Sequence, residues 1–188
     1  MFYLYFLLAL ALLTVALFSA PLRAKVWTAL VAVGVATIAT IAPSIGVLMG
    51  ASEIVIMQMQ SPIFGIESLS IDSLSAFMLL IIGISGIATI LYSRGYLEHY
   101  LKEKSSAHIS LHYLALVVMI ISMMLVVISS GGFSFLLAWE MMTIASFILI
   151  LFDAQRAEVM RAALAYLVMM HIGFIFLVAG FAVMHSIC

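Results

Sequence analysis

Long runs of apolar residues, separated by short polar stretches, organise this sequence. Each run is close to the roughly 20 residues that an α-helix needs to cross the hydrocarbon core of a membrane. The pattern predicts six spanning helices, over residues 2–20, 26–49, 72–92, 113–130, 133–152 and 162–185. The predicted fold is therefore all-α, a polytopic transmembrane helix bundle that forms one membrane domain over residues 1–188.

Residues 50–70 interrupt this pattern between the second and third spans. Apolar and polar residues alternate there through Ile54, Ile56, Gln58 and Gln60, and Pro62 follows. A period of two residues is typical of a strand, so we expect a short extracellular strand or hairpin. Directly after it, Asp72 is a plausible N-cap for the third span. Within that span, Gly83 and Gly86 indicate close contact with a neighbouring helix.

Composition places the chain in lipid and excludes several classes of function. Of its residues 67% are hydrophobic and 8% are charged, against about 25% charged in soluble domains. The net charge of −1 favours no nucleic-acid partner, and the single cysteine excludes an intrachain disulfide. The sequence contains no phosphate-binding loop, no metal-ligand spacing and no nucleophile beside a base. We expect no catalytic centre, metal or cofactor in this chain.

The basic residues predict the orientation of the bundle. All seven fall in connections that follow the first, third and fifth spans: Arg23, Lys25, Arg94, Lys102, Lys104, Arg156 and Arg161. By the positive-inside rule these connections face the cytoplasm, and both chain termini lie outside. No lysine is expected inside a span, and the polar stretch 93–112 is expected to be a solvated loop or an interfacial helix.

Glu140 is the residue that most needs an explanation. It lies near the middle of the apolar run 131–153, where an ionisable group costs several kcal/mol and usually marks a functional site. The alternative is a protonated Glu140 that is hydrogen-bonded within the bundle and has no role in transport. Thr143 and Ser146, on the same helix, are candidate supporting groups that bond to a neighbouring helix or hold a water.

His171 is the candidate partner of Glu140. The short connection 153–161 makes the fifth and sixth spans an antiparallel hairpin. At 1.5 Å per residue, Glu140 and His171 lie roughly 18 Å and 13 Å from the cytoplasmic end of that hairpin. A carboxyl group and an imidazole at similar depth can pass a proton through water. The alternative for His171 is a neutral ring bonded to a backbone carbonyl.

Three sequence motifs resemble the antiporter-like subunits of complex I and its relatives. They are Asp72 with Ser73–Phe77, Tyr92–Leu97, and Phe135–Met142, which contains the Trp-Glu-Met-Met pattern. The stretches 156–159 and 166–173 look most like the branch of hydrogenase-4 component B and formate hydrogenlyase. The resemblance extends over nearly the whole chain, most specifically over 72–97 and 131–175.

The resemblance implies a role for Glu140 and a larger protein. In that family the matching glutamate is regarded as a key element of proton translocation, paired with a lysine on the next helix along. Subunits of the family continue through about fourteen helices, so this chain looks like the first six of them. The implied partners are other membrane subunits and peripheral redox subunits, which would carry any redox chemistry.

Three functional hypotheses follow from the sequence. The first is a proton-translocating subunit of a hydrogenase-like or NADH dehydrogenase-like respiratory complex, multi-pass in the cell membrane. The second is a subunit of a multisubunit cation/proton antiporter, coupled to sodium. The third is an inactive assembly or scaffold fragment in which Glu140 is merely buried. The partner subunits distinguish the first two hypotheses, and substitution of Glu140 tests the third.

Overall fold

The computed structural model describes residues 2–61, 65–98, 100 and 104–187. It contains six α-helices and one β-hairpin within those ranges. The elements are α1 Phe2–Ser19, α2 Leu22–Leu48, β1 Ile54–Ser61, β2 Gly65–Ile71, α3 Ser73–Glu98, α4 Ser106–Ile128, α5 Gly132–Ile150 and α6 Ala157–Ile187. Pro62, Lys102 and Cys188 lie outside the described residues.

The helices confirm the predicted polytopic bundle. Five of them, α2 to α6, are long and apolar enough to cross a membrane, and α1 contributes a shorter apolar helix over Leu8–Ser19. Among these five helices, burial is lowest for α6, in which 0% of an apolar 18-residue window is buried. The chain is a multi-pass membrane protein.

The polar stretch 93–112 differs from its prediction. Helix α3 continues past Tyr92 to Glu98, and α4 already begins at Ser106. The Ser105 hydroxyl accepts a hydrogen bond from the backbone N–H of His108 and so caps α4. Because that cap satisfies a free donor of the first turn, α4 starts before its apolar run does.

Close contacts at two glycines join α2, α3 and α4. A Cβ atom on Gly83 would lie 2.6 Å from Cγ2 of Thr37 in α2, and one on Gly86 would lie 2.9 Å from Cγ2 of Ile120 in α4. Both glycines are buried. The prediction that they allow a neighbouring helix to approach closely is therefore confirmed, since any larger residue would push the helices apart.

The β-hairpin covers the ends of the helices and confirms the predicted strands. Strands β1 and β2 pair antiparallel from Ile54 opposite Ile71 to Ser61 opposite Gly65. The strand β2 also bonds to the turn between α4 and α5, where the N–H of Ser130 donates to the Ser68 carbonyl at 2.9 Å. We call this the hairpin end of the bundle.

Asp72 joins the hairpin to α3. Its Oδ1 accepts the backbone N–H of Ser75 at 2.7 Å, the geometry of an N-cap, which confirms that prediction. The same hydrogen bond lowers the pKa of the Asp72 carboxyl group because it stabilises the charged form.

Candidate proton-transfer site

The helix that carries Glu140 begins at a buried carboxylate. Glu67, on β2, is 2% exposed. Its two oxygens accept the backbone N–H groups of Phe133 at 2.7 Å and Ser134 at 2.9 Å, in the first turn of α5. A negative charge there satisfies two free donors and interacts favourably with the helix dipole. Gly131 leaves room for it, since a Cβ at that position would lie 2.5 Å from Cγ of Glu67.

Sequence reasoning missed this role of Glu67. Its position among alternating residues of a predicted strand indicated only an extracellular loop acid. The contact joins residues 66 or 67 positions apart in the chain. No local pattern in the sequence therefore predicts it. The one available signal is that the α5 N-terminus has no capping side chain of its own: Gly131 precedes Gly132.

Helices α5 and α6 pack as the predicted antiparallel hairpin. Near the hairpin end, the rings of Phe135 and Phe181 have centroids 5.7 Å apart, and Phe135 stacks on Trp139 at the same separation. Gly132 contacts Phe181 closely, because a Cβ there would lie 3.0 Å from its ring. This register brings the middle of α6 level with the middle of α5.

Glu140 and His171 meet in that middle region. Oε1 of Glu140 lies 3.0 Å from Nε2 of His171. The Glu140 side chain is 22% exposed and that of His171 is 45% exposed. The structure thus brings together the two residues that the sequence placed at similar depth.

A second hydrogen bond fixes the tautomer of the histidine. Nδ1 of His171 lies 2.9 Å from the carbonyl oxygen of Leu167. A carbonyl can only accept, so Nδ1 carries a hydrogen and donates it. The bond to a backbone carbonyl that was the alternative for His171 is present, together with the contact to Glu140.

With Nδ1 protonated, the contact between Glu140 and His171 requires one more proton. Either Oε1 carries it and donates to a neutral Nε2, or Nε2 carries it and donates to a carboxylate. Without that proton, two lone pairs would face each other at 3.0 Å. The pair therefore holds one proton between two atoms that can each bind it.

The second carboxyl oxygen of Glu140 is in a different situation. Oε2 is buried and has no hydrogen-bond partner within the described part of the chain. Unsatisfied buried polar atoms are rare in native structures, and an explanation such as a water molecule or a transport role is required.

Thr143 and Ser146 do not bond to Glu140. The Thr143 hydroxyl donates to the Trp139 carbonyl at 3.0 Å, and the Ser146 hydroxyl donates to the Met142 carbonyl at 2.8 Å. Each hydroxyl oxygen retains lone pairs that can accept from a water. The cross-helix bonds expected of them are not formed here, because both donors are used within α5.

The structure also places a lysine inside the bundle, contrary to the sequence expectation. Lys25 belongs to α2 and to the candidate span Ala24–Leu48, and it is 0% exposed. Its ammonium group donates to the carbonyl and the hydroxyl of Ser106, at 2.9 and 2.8 Å, and to the Ser110 hydroxyl. The prediction was wrong because three acceptors on α4 satisfy the buried charge.

Lys104 is likewise not a solvated loop residue. Its side chain is 6% exposed, and Nζ lies 4.0 Å from Asp153. Nζ also donates to the Phe152 carbonyl at 2.8 Å. This lysine joins the start of α4 to the end of α5. We call the part of the bundle that carries Lys25, Lys104 and Asp153 the basic end; it lies opposite the hairpin end.

No group of three or more metal-ligating side chains occurs among the residues that the structure describes. The carboxyl group of Glu140 and the imidazole of His171, at hydrogen-bonding distance, are two groups that can each bind or release a proton.

Comparison with known proteins gives a family match for this region. Residues 129–188, which include Glu140 and His171, match the family model described as NADH:quinone oxidoreductase/Mrp antiporter, TM. The resemblance to antiporter-like membrane subunits that the sequence motifs indicated is confirmed.

Similar proteins extend the comparison beyond that region. The uncharacterized protein Rv0083 of Mycobacterium tuberculosis is 33% identical over 124 residues, which are 65% of this chain and 18% of that protein. Hydrogenase-4 component B of Escherichia coli is 28% identical over 117 residues, 62% of this chain and 17% of that protein. The chain thus matches less than a fifth of the length of these relatives.

Proposed function

We propose, starting from the antiporter-like membrane-subunit family that residues 129–188 match, that this chain takes part in proton translocation. It acts as a membrane subunit of a hydrogenase-like or NADH dehydrogenase-like respiratory complex in the cell membrane. The similarity to hydrogenase-4 component B supports the redox branch of this proposal.

The observation that carries the proposal is the contact of Glu140 with His171. Both residues lie within candidate spans, where a fixed charge is costly. A shared proton lets the pair exist as two neutral groups or as an ion pair with no change in net charge. A proton that the pair gains or loses changes its net charge by one, but that charge then lies against a hydrogen-bonded partner and is not isolated in lipid.

The mechanism follows from the roles of the individual atoms. The Leu167 carbonyl orients the imidazole and keeps Nδ1 protonated, so that only Nε2 exchanges a proton with Glu140. The unpartnered Oε2 of Glu140 is the atom open to a second donor or to water. When a proton binds at Oε2, the one held at Oε1 can move to Nε2. The imidazolium so formed, whose side chain is 45% exposed, then passes one proton to an acceptor outside the pair before the cycle repeats.

Substitution of Glu140 tests the proposal in the assembled complex. Glu140→Gln keeps the shape of the side chain but cannot bind or release a proton. We expect the complex that contains this variant to assemble normally. Membrane vesicles that carry this complex should show no proton movement. Glu53→Gln is the matched control, because Glu53 is an exposed acid before β1. Normal proton movement with Glu140→Gln would support the scaffold function instead.

A cation/proton antiporter subunit is the second candidate function. The description of the matching family names the Mrp antiporter beside the quinone oxidoreductase, and the same carboxyl–imidazole pair would serve there. Proton movement that depends on sodium and not on an electron donor supports this candidate. Co-purification of the chain with nickel–iron or iron–sulfur subunits supports the redox complex.

A further inference from the structure

His112 is a second histidine of the bundle, and the site described above does not use it. It lies in the second turn of α4, near the basic end. The centroid of its ring is 4.7 Å from that of Phe152, just beyond the end of α5. Nδ1 of His112 is buried and has no hydrogen-bond partner among the described residues.

Water-accessible charge lies next to this histidine. The backbone carbonyl of Phe152 accepts a hydrogen bond from Lys104, and the neighbouring Asp153 is 34% exposed and lies 3.5 Å from Arg156. The ring of Phe152 thus contacts His112, and the next residue, Asp153, forms an ion pair with the exposed Arg156. The histidine occupies the boundary between the basic end and the apolar interior.

Two hydroxyl-bearing residues lie on α5 between the level of Phe152 and the level of Glu140. Helices α4 and α5 pack closely along their lengths, and Phe152 follows Glu140 by roughly 18 Å at the helical rise. Thr143 and Ser146 lie between these two levels, about 4.5 and 9 Å along α5 from Glu140. Thr143 is 1% exposed, so its oxygen can accept from a water inside the bundle.

Two buried atoms that have no hydrogen-bond partner among the described residues thus lie near the two levels just named. They are Nδ1 of His112, near the level of Phe152, and Oε2 of Glu140. A buried polar atom without a partner indicates an unseen water or a functional role. Water in a polar space can join such atoms through the free lone pairs of intervening hydroxyls.

We propose that His112 is the residue through which protons enter from the basic end on their way to Glu140. This inference rests on the proposed function. The imidazole takes a proton from water at the basic end and releases it into a water chain past Ser146 and Thr143 to Oε2. One proton is gained and one is lost in each cycle, so the imidazole returns to its starting state.

The test uses His112→Ala in the assembled complex, with proton movement followed in membrane vesicles. We expect the rate to fall at least about tenfold, and added imidazole to restore much of it by entering the space left by the ring. His108→Ala is the matched control, because His108 is exposed in the first turn of the same helix; it should retain the wild-type rate.

Several outcomes would overturn the inference. A wild-type rate in His112→Ala excludes His112 as the entry residue, and a slow rate that imidazole does not restore indicates a structural role only. If His112→Ala does not assemble, His112→Phe preserves packing against Phe152, and we expect it to assemble with a slow rate that imidazole leaves unchanged. A wild-type rate in that variant also overturns the inference.

Glu140→Gln distinguishes this inference from the proposed function. Loss of proton movement in Glu140→Gln with a normal rate in His112→Ala leaves the role of Glu140 intact and rejects only the entry role. A normal rate in Glu140→Gln rejects the proposed function itself.

Discussion

Oε1 of Glu140 and Nε2 of His171 lie 3.0 Å apart in the middle of α5 and α6. The distance is that of a hydrogen bond between a carboxyl group and an imidazole. Because Nδ1 of His171 already donates to Leu167, the proton between Glu140 and His171 is the one that can move. Glu140 and His171 therefore form one hydrogen-bonded unit.

Replacement of His171 should slow proton transfer without abolishing assembly. His171→Gln can form a hydrogen bond with Glu140, but its amide cannot take the proton over. We expect proton movement in vesicles to fall at least about tenfold. His108→Gln, at an exposed position, provides the control. A His171→Gln complex as fast as wild type would show that Glu140 exchanges its proton with another group.

Glu67 should stabilise the N-terminus of α5. A glutamine at that position can accept only one of the two N–H groups and directs its own N–H toward the other. We expect Glu67→Gln to lower the free energy of unfolding by about 1–3 kcal/mol, measured by denaturation of the purified chain in detergent. Glu53→Gln, at an exposed position, is the control and should change the free energy of unfolding little. Equal stability of the two variants would contradict the capping role.

The contact of Gly83 with Thr37 should be essential to the packing of α2 against α3. Gly83→Ala places a methyl group 2.6 Å from Cγ2 of Thr37, and we expect a loss of about 1–3 kcal/mol of unfolding free energy. The double variant with Thr37→Ser removes Cγ2 and should recover most of that loss.

Gly34→Ala is the matched control for this pair, since no atom lies within 4 Å of a Cβ at position 34 in α2. It should be neutral or slightly stabilising, because alanine favours a helix over glycine. If Thr37→Ser fails to rescue Gly83→Ala, the two helices do not meet at this contact.

The periodicity of the sequence predicted most of the fold. Apolar runs locate the helices because each span must satisfy its backbone internally, and the alternation around Ile54 locates the hairpin. The start of α4 at Ser106 was not predicted. The first turn of this helix is polar, and it depends on the cap from Ser105 and on the hydrogen bond from Lys25.

The candidate site could be predicted only in part. Glu140 and His171 stand out because ionisable residues are rare in apolar runs, and the short connection between their helices fixes their relative depth. The buried roles of Glu67, Lys25 and Lys104 arise from contacts between residues far apart in the sequence. Their charge favours a prediction that they lie in loops, because the sequence does not show which hydrogen-bond partners the fold brings to them.

Infrared difference spectroscopy of the assembled complex during turnover measures the protonation of a carboxyl group directly. The account predicts a carboxylic-acid C=O stretching band that changes during turnover in the wild type. The band should disappear in Glu140→Gln and shift in His171→Gln, because the hydrogen bond to the carboxyl group changes. If the difference spectrum of Glu140→Gln is the same as that of the wild type, the claim that Glu140 carries the proton is contradicted.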